Sequence, residues 1–306
     1  MNSIQKTVFA LMVALLPAAA SAQLISVQQG TGRATTQKVK KAKKAQKSQD
    51  AKDVLETPET NLLKSDDGVK ASVQADVVSR YIWRGLELAG FSLQPQVSVS
   101  WRGLSLTAEG STSLDKDGYR DLDLTLGYQL GPVNIGVTDY WSTGVDSENR
   151  YLYYDQHKGA HIFEGNLGFT CKYFSLQGYC MFWGNDFKVP ADSRVSNGDE
   201  RAYSTYIELG IPFKLGSCDW QLTVGGTPME SGGTWEVQAH ETLLGLEDIP
   251  VRVYEYAEGP ACCVASLRCT KELKLGSLRL PVFAEFNSNP YLSKASMIFG
   301  LSIIPF

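Results

Sequence analysis

The chain has 306 residues, a formal net charge of −4 and three histidines. Proteins that bind nucleic acids normally present a basic surface, so we expect no nucleic-acid partner. Downstream of the first 22 residues, Ser, Thr, Gly, Asp or Arg interrupts the apolar stretches, which excludes a membrane helix of about 20 apolar residues. An exported soluble protein and a membrane β-barrel remain as classes.

Residues 1–22 have the three-part layout of a secretory signal peptide. Lys6 supplies a positive charge, an apolar run covers 8–20, and small residues end at Ala22. This run is too short to cross about 30 Å of hydrocarbon as a helix. We therefore predict cleavage before Gln23 and export from the cytoplasm.

Residues 23–70 form a Lys-rich segment without any aromatic residue, with six lysines between positions 38 and 47. Such a composition buries too little apolar surface to offset the entropy of ordering. We predict a disordered periplasmic arm. Its lysines either contact anionic lipid headgroups or peptidoglycan, or belong to a solvated linker.

From residue 71 onward, apolar and polar residues alternate with a period of two, which indicates β-strands. In one segment, Leu104 and Leu106 share a face while Ser105 and Thr107 share the other. The pattern predicts an all-β fold in which 71–306 form a single antiparallel transmembrane β-barrel of about 12 strands. The predicted strands are 72–83, 92–101, 103–113, 119–130, 132–141, 160–173, 174–184, 201–213, 217–226, 259–273, 276–286 and 294–306.

The predicted connections alternate in length, as expected of short periplasmic turns and long outer loops. The long ones lie near 84–91, 142–159, 185–200 and 227–258. An even number of strands then places the arm and the C-terminus on the periplasmic side. The loop at 225–250 either folds into the lumen as a constriction or extends outward as a receptor surface.

The two faces of the strands distinguish a membrane barrel from a soluble one. One face is rich in Asp, Glu, Gln, Ser and Thr, as in a wet lumen, and the other is apolar. Only a closed ladder of strands leaves no unpaired amide in hydrocarbon. We therefore expect outer-membrane lipid to surround the barrel. We also expect aromatic girdles from Tyr81, Trp83, Trp101, Tyr119, Tyr140, Trp141, Tyr173, Trp183, Phe213, Trp220 and Phe286.

Several segments resemble the TorF-like porin family. They are Asp-Val-Val-Ser-Arg-Tyr-Ile-Trp-Arg-Gly at 76–85, Ser-Leu-Gln-Pro-Gln at 92–96, and the segments 103–112, 154–165, 202–209 and 280–286. The last three look like the Bacteroides-type branch of the family, and the resemblance covers 71–306. It implies an outer-membrane location and a channel role, but supplies no substrate and no functional residues. The last strand ends in Phe306, which resembles the signal that barrel-assembly machinery recognises, and we expect that machinery as a partner.

Eight charged residues are candidates for lining the pore. An arginine facing lipid at mid-membrane costs about 2–4 kcal/mol, so the inward orientation is favoured for the arginines of the first strand. These charges either form a transverse field that orients a small polar solute, or a salt-bridged plug that makes a narrow barrel rigid. The candidates are Asp76, Arg80, Arg84, Glu109, Asp121, Asp123, Glu208 and Glu285.

The sequence favours a channel for small polar solutes over a non-conducting structural or surface-binding barrel. His157, His161 and His240 also raise the hypothesis of a lipid hydrolase on the barrel wall. No nucleophile motif accompanies them, so we expect no enzyme activity.

The six cysteines show no zinc-site spacing, and we expect neither metal nor cofactor. Cys171 and Cys180 would face each other across a hairpin near Ser175. They form either a disulfide or a pair of small apolar residues.

Overall fold

The computed structural model describes residues 68–115, 118–143, 150–195, 198–242, 245–275 and 278–303. The predicted signal peptide, nearly all of the Lys-rich arm, and Phe306 lie outside the described residues. The strands are β1 Lys70–Val78, β2 Tyr81–Trp83, β3 Leu86–Ala89, β4 Ser92–Trp101, β5 Leu104–Ser113, β6 Arg120–Leu130, β7 Val133–Thr143, β8 His161–Thr170, β9 Ser175–Gly184, β10 Thr205–Leu215, β11 Cys218–Thr227, β12 Gly233–Thr242, β13 Gly245–Tyr254, β14 Ala261–Leu275, β15 Leu278–Asn289 and β16 Lys294–Ile303.

Twelve of these strands close into an antiparallel barrel in the order β1-β16-β15-β14-β11-β10-β9-β8-β7-β6-β5-β4. Strand β1 closes the ring because it pairs with both β4 and β16, with Lys70 opposite Ser100 and Ala75 opposite Ile303. The predicted all-β fold with twelve barrel strands is therefore confirmed. The structure has two further hairpins. The β12–β13 hairpin lies in the connection predicted as a loop near 227–258, whereas β2–β3 joins the end of the predicted first strand to part of the loop predicted near 84–91.

The two ends of the barrel differ in their connections. Strand β4 joins β5 through Arg102 and Gly103, whose φ angles of 48° and 87° allow a two-residue turn of the type that fits the twist of a hairpin. The connections from β1 to β4, β7 to β8, β9 to β10 and β11 to β14 are longer and leave from the other end. Lys70 and Ile303, at the two ends of the barrel sequence, both lie at the short-turn end.

The wall strands carry opposite chemistry on their two faces. Outward side chains are apolar and exposed, since Leu106, Leu126 and Leu167 retain 57, 54 and 60% of their accessible surface. Inward side chains form polar pairs between strands, such as Thr125 with Thr138 at 2.9 Å between hydroxyl oxygens. The described part of the chain holds no helix with the length and apolar character needed to span a membrane.

The predicted first strand, 72–83, was wrong at its end. Strand β1 ends at Val78 and the chain leaves the wall, so the period of two does not continue into β2. Tyr81 and Trp83 therefore pack inside the barrel, against Tyr119 and Tyr140 respectively. These four residues were wrongly predicted for the girdles. Tyr140 also neighbours the outward Trp141 in sequence, and adjacent strand residues point to opposite faces.

The predicted facing of Cys171 and Cys180 was also wrong. The β8–β9 register places Thr170 opposite Ser175 and Gly165 opposite Cys180, so Cys171 lies at the turn and Cys180 well along the strand. Every cysteine is free. The thiols of Cys218 and Cys269 are the ones that share a hydrogen bond, across β11 and β14.

Candidate functional site

The β2–β3 hairpin enters the barrel instead of projecting from it, and we call it the lumen hairpin. Its turn consists of Arg84 and Gly85, with φ angles of 47° and 83°. On the side nearest β1, Ile82 packs against an inward apolar cluster of Val78, Phe283 and Ile298. The hairpin thus has an apolar attachment to the wall from which it departs.

The tip of the lumen hairpin contacts other parts of the wall through its backbone. A Cβ atom built on Gly85 would lie 2.1 Å from the carbonyl oxygen of Cys263 in β14. Any side chain would therefore clash there, and only glycine fits. The side-chain amide of Asn289 donates a hydrogen bond of 3.3 Å to the Gly85 carbonyl. A left-handed φ and this close approach together explain why glycine occupies the position.

Arg84 joins the tip of the hairpin to the far wall. Its two terminal nitrogens donate to the two carboxylate oxygens of Glu164 in β8, at 2.6 and 2.7 Å. The two side chains are 8 and 1% exposed. In barrel order β8 lies seven strands from β1 in one direction and five in the other, so the hairpin and this ion pair together connect opposite sides of the wall.

Aromatic rings surround the Arg84 guanidinium. Its central carbon lies 4.1 Å from the ring centre of Tyr179, 4.6 Å from that of Trp83 and 4.8 Å from that of Tyr206. The Tyr256 hydroxyl accepts a further hydrogen bond from the same guanidinium. Burial of a charge is costly unless it is paired and hydrogen-bonded, and this arrangement meets both conditions.

Residues that follow β13 fill the lumen beside the hairpin tip. Tyr256 is buried in one apolar cluster with Met181, Tyr206 and Cys263. The Ser231 hydroxyl accepts hydrogen bonds from the backbone nitrogens of Tyr256 and Ala257, at 2.9 and 3.1 Å. Part of the connection between β11 and β14 therefore folds inward at residues 256–257. These residues lie beyond the loop at 225–250, for which the choice between a constriction and an outward receptor surface stays a prediction.

The long connections also bind one another. Asp186 accepts hydrogen bonds from the backbone nitrogen and hydroxyl of Ser204, at 3.0 and 2.5 Å. The Gly232 nitrogen donates to the same Ser204 hydroxyl at 2.6 Å. Burial raises the pKa of the Asp186 carboxyl, against these hydrogen bonds, which favour the ionised form. The long-loop end is thus a packed structure held by buried polar contacts.

A cavity of about 410 Å³ remains inside the barrel, bounded on one side by strand β2. Four carboxylates and two guanidinium groups line it, together with the rings of Tyr81, Trp83, Tyr140 and Phe283. The charged residues in its lining are Asp76, Arg80, Glu109, Asp123, Arg268 and Glu285. The carboxylates outnumber the guanidinium groups, so the lining is acidic.

The eight predicted pore-lining residues fall into three groups. Five of them line the cavity: Asp76, Arg80, Glu109, Asp123 and Glu285. Asp121 and Glu208 lie on the inward faces of β6 and β10, where Asp121 accepts hydrogen bonds from the hydroxyls of Tyr81 and Tyr119.

Arg84 alone forms the third group, because it lies in the turn of the lumen hairpin and not on a wall strand. Arg80 also belongs to the excursion between β1 and β4, not to a wall strand, and pairs with Glu87 of β3 at 2.7 Å. Both arginines thus form salt bridges, but with Glu87 and Glu164 and not with the carboxylates among the eight candidates.

Sequence reasoning missed the partners of Arg84. Glu164 is not among the eight candidates, although the register places it opposite the inward Thr138, whereas His161 lies opposite the outward Trp141. Tyr179, Tyr206 and Tyr256 carried no signal, because alternation tells which face a residue occupies but not what it meets there.

His161 lies on the outer face of the wall and is completely buried by residues 151–154. Its Nδ1 lies 2.8 Å from Asp139 Oδ1, and its Nε2 contacts the backbone carbonyl of Tyr151. The Tyr154 ring stacks on the imidazole with 4.0 Å between ring centres. Both ring nitrogens are thus engaged, and neither has access to a substrate proton.

Within the described residues, no group of three or more His, Cys, Asp and Glu side chains is arranged to hold a metal ion. A scan against models of known protein families finds no match, and a search of curated proteins finds none either.

Proposed function

We propose that this chain is an outer-membrane channel for small polar solutes and that the lumen hairpin holds it closed. The observation that carries the proposal is the Arg84–Glu164 ion pair across a lumen whose remaining space is an acidic cavity. A structural barrel would be stable with an apolar interior. A charged cavity beside a polar plug instead suits a path for hydrated solutes.

The membrane setting is supported by the outer face of the wall. Its exposed side chains include Leu106, Leu126, Ile135, Leu167 and Phe299, each more than half accessible. Soluble monomers rarely expose apolar patches of this extent, whereas lipid covers them at no cost. We therefore propose a bacterial outer-membrane location, which this apolar face supports. Export by a cleaved signal peptide and assembly through the last strand are part of the proposal and rest on the sequence.

The indole nitrogens of Trp141 and Trp220 are buried and have no hydrogen-bond partner among the described residues. Both tryptophans lie on the outward face, near opposite ends of their strands. Tryptophan is enriched at both membrane–water interfaces. This supports two aromatic girdles that are smaller than the set predicted from sequence.

We also propose the relationship to the TorF-like porins, which rests on the motifs quoted above. Ser-Arg-Tyr-Ile-Trp-Arg-Gly at 79–85, the most specific of them, forms the first arm and the turn of the lumen hairpin. If the relationship holds, this motif specifies the plug and not a segment of the wall.

The alternative is a non-conducting structural or surface-binding barrel, and the completeness of the plug favours it. Two attachments hold the hairpin, the Ile82 cluster on one side and the Arg84 pair on the other. The hydrolase hypothesis has less support, because both nitrogens of His161 are engaged. We propose that the protein has no enzymatic activity.

Planar-bilayer recording separates these functions. The wild-type protein is compared with a variant in which residues 80–89 are replaced by a short Gly/Ser linker, after heat-modifiable electrophoretic mobility has shown that both are folded barrels. The channel proposal expects brief, discrete openings of the wild type and sustained conductance of the variant. A folded variant that never conducts overturns the proposal, and a silent wild type beside a conducting variant favours the structural barrel.

A further inference from the structure

We propose that the acidic cavity is a binding site for a small organic cation that carries a primary ammonium group. This inference deepens the proposed function, since it names the class of solute that would reach the closed hairpin. It starts from the charge count of the lining, where four carboxylates face two guanidinium groups.

Both arginines of the lining are already engaged by carboxylates. The Arg80 guanidinium donates to both oxygens of Glu87, at 2.7 and 2.9 Å. Arg268 lies 3.9 Å from Glu285 and stacks on Phe283, with its central carbon 3.5 Å from the ring centre. Arg80 is thus held by Glu87, a carboxylate outside the cavity lining. Arg268 interacts with Glu285 and also with Asp76.

On that opposite side, two carboxylates occupy directly facing positions. Glu109 of β5 and Asp123 of β6 are cross-strand partners, and both point inward. Like charges in facing positions destabilise a sheet unless a cation lies between them. Glu109 also accepts a hydrogen bond from the Gln96 side-chain amide.

A further carboxylate oxygen is poised for a ligand. Asp76 lines the cavity, and its Oδ1 is buried without a hydrogen-bond donor in the part of the chain that the structure describes. Buried polar atoms are normally satisfied by protein, water or ligand. An ammonium group, with three donors, would satisfy such oxygens and carry the missing charge.

The rings around the cavity favour an organic cation over a metal ion. Tyr81, Trp83 and Tyr140 contribute aromatic surface, and aromatic rings attract ammonium groups held near their faces. A metal ion would need several ligands at short range, and the described residues offer no group of three such side chains. The cavity therefore combines charge and aromatic surface in the way that suits an alkylammonium.

The site also adjoins the plug. Tyr140 of β7 is the cross-strand partner of Asp123. Its hydroxyl donates a hydrogen bond of 2.9 Å to Glu164. Glu164 in turn holds Arg84. Tyr140 lines the cavity and is hydrogen-bonded to Glu164, so it links a cation bound there to the Arg84–Glu164 ion pair.

The test is equilibrium binding to the purified full-length protein in detergent. Binding is measured by calorimetry and by the change in tryptophan fluorescence. The probe is 1,4-diaminobutane, with 1,4-butanediol and succinate as neutral and anionic ligands of similar size and magnesium chloride as the metal. We expect saturable binding of the diamine alone. Absent binding, or equal binding of the diol, succinate or magnesium, overturns the proposal.

Variants locate the site. Asp123→Asn and Glu109→Gln should each weaken diamine binding at least about tenfold, the loss expected for one charge-assisted contact. Glu208→Gln, a matched change of an inward carboxylate outside the cavity lining, should leave it unchanged. Wild-type affinity in both cavity variants would refute the site.

The binding experiment and the planar-bilayer recording have distinguishable failures. Diamine binding by a barrel whose hairpin-replaced variant never conducts would retain the site but refute the channel.

Discussion

The tetrapeptide Trp-Arg-Gly-Leu occurs twice in this chain, at 83–86 and at 101–104. Both copies form the same two-residue turn, with φ of 47° and 83° in the first and 48° and 87° in the second. The first joins β2 to β3 in the lumen, and the second joins β4 to β5 at the short-turn end. Identical sequence and backbone therefore occur in opposite environments.

The arginines show what the difference in environment does. Arg84 is 8% exposed and forms a two-bond ion pair with Glu164. Arg102 is exposed, and its guanidinium lies 5.1 Å from the ring centre of Trp101, which is itself 47% accessible. The local sequence determines the turn, whereas the surroundings determine whether its arginine closes a lumen or covers a surface ring.

The largest expected effect comes from truncating the two arginines. Arg84→Ala should reduce the free energy of unfolding by about 3–5 kcal/mol, because it leaves the Glu164 carboxylate buried and unpaired. Arg102→Ala, its matched control, should cost less than about 0.5 kcal/mol. Urea titration of protein refolded into lipid vesicles measures both. Equal losses would show that the two copies do not differ as described.

In bilayers, Arg84→Ala should also lengthen the openings while Arg102→Ala does not. Adding Glu164→Gln to Arg84→Ala should recover part of the stability, since it removes the stranded charge.

The second prediction tests whether the outer face, on which Trp101 lies, meets lipid. Leu126→Arg, near the middle of β6, should destabilise the refolded barrel by about 2–4 kcal/mol, and Leu130→Arg, at the strand end, by about 0–1 kcal/mol. The same vesicle titration applies. If both changes are nearly neutral, water and not lipid covers the wall.

The third prediction compares two turn glycines with left-handed φ. Gly131 has φ 58° and nothing within 4 Å of an added Cβ, so Gly131→Ala should cost only the backbone strain of about 1–2 kcal/mol. Gly85→Ala carries the same strain and adds a clash with the Cys263 carbonyl, 2.1 Å from the new Cβ. Only Gly85→Ala should raise single-channel open probability. A closed Gly85→Ala channel would mean that the tip tolerates displacement without opening.

The smallest effect is expected from a change of His161, on the outer face of β8. His161→Ala should cost about 1–2 kcal/mol, since it removes a buried hydrogen-bond partner from Asp139, which keeps some access to solvent. Residues 151–158 should then be cleaved faster in limited proteolysis, whereas Leu152→Ala, a change of a side chain in that segment that is 83% exposed, should not accelerate cleavage. Unchanged proteolysis would show that His161 does not hold the segment, and an altered lipid profile would revive the hydrolase.

The alternation of residues was sufficient to predict the wall. All twelve barrel strands were located from period-two runs, and six of the eight pore-lining candidates were assigned to inward faces of wall strands, where the structure has them. This worked because a strand's side chains have only two directions, so one apolar face fixes the orientation of every residue in it.

The same reasoning failed where the chain left the wall. Tyr81 and Trp83 continue the alternation of β1 in sequence, yet they lie inside because the strand ends at Val78. The partners of Arg84 lie 80 and 172 residues away. A pairing at that separation leaves no trace in local pattern.

The sequence by itself thus determined a twelve-stranded wall, its wet and apolar faces, and the alternation of short and long connections between its strands. Only the tertiary structure decided what occupies the interior: the lumen hairpin, the Arg84–Glu164 pair and the acidic cavity beside them. The physical reason is that alternation records the solvent each face meets. The filling of a lumen depends on which distant segments fit together inside it.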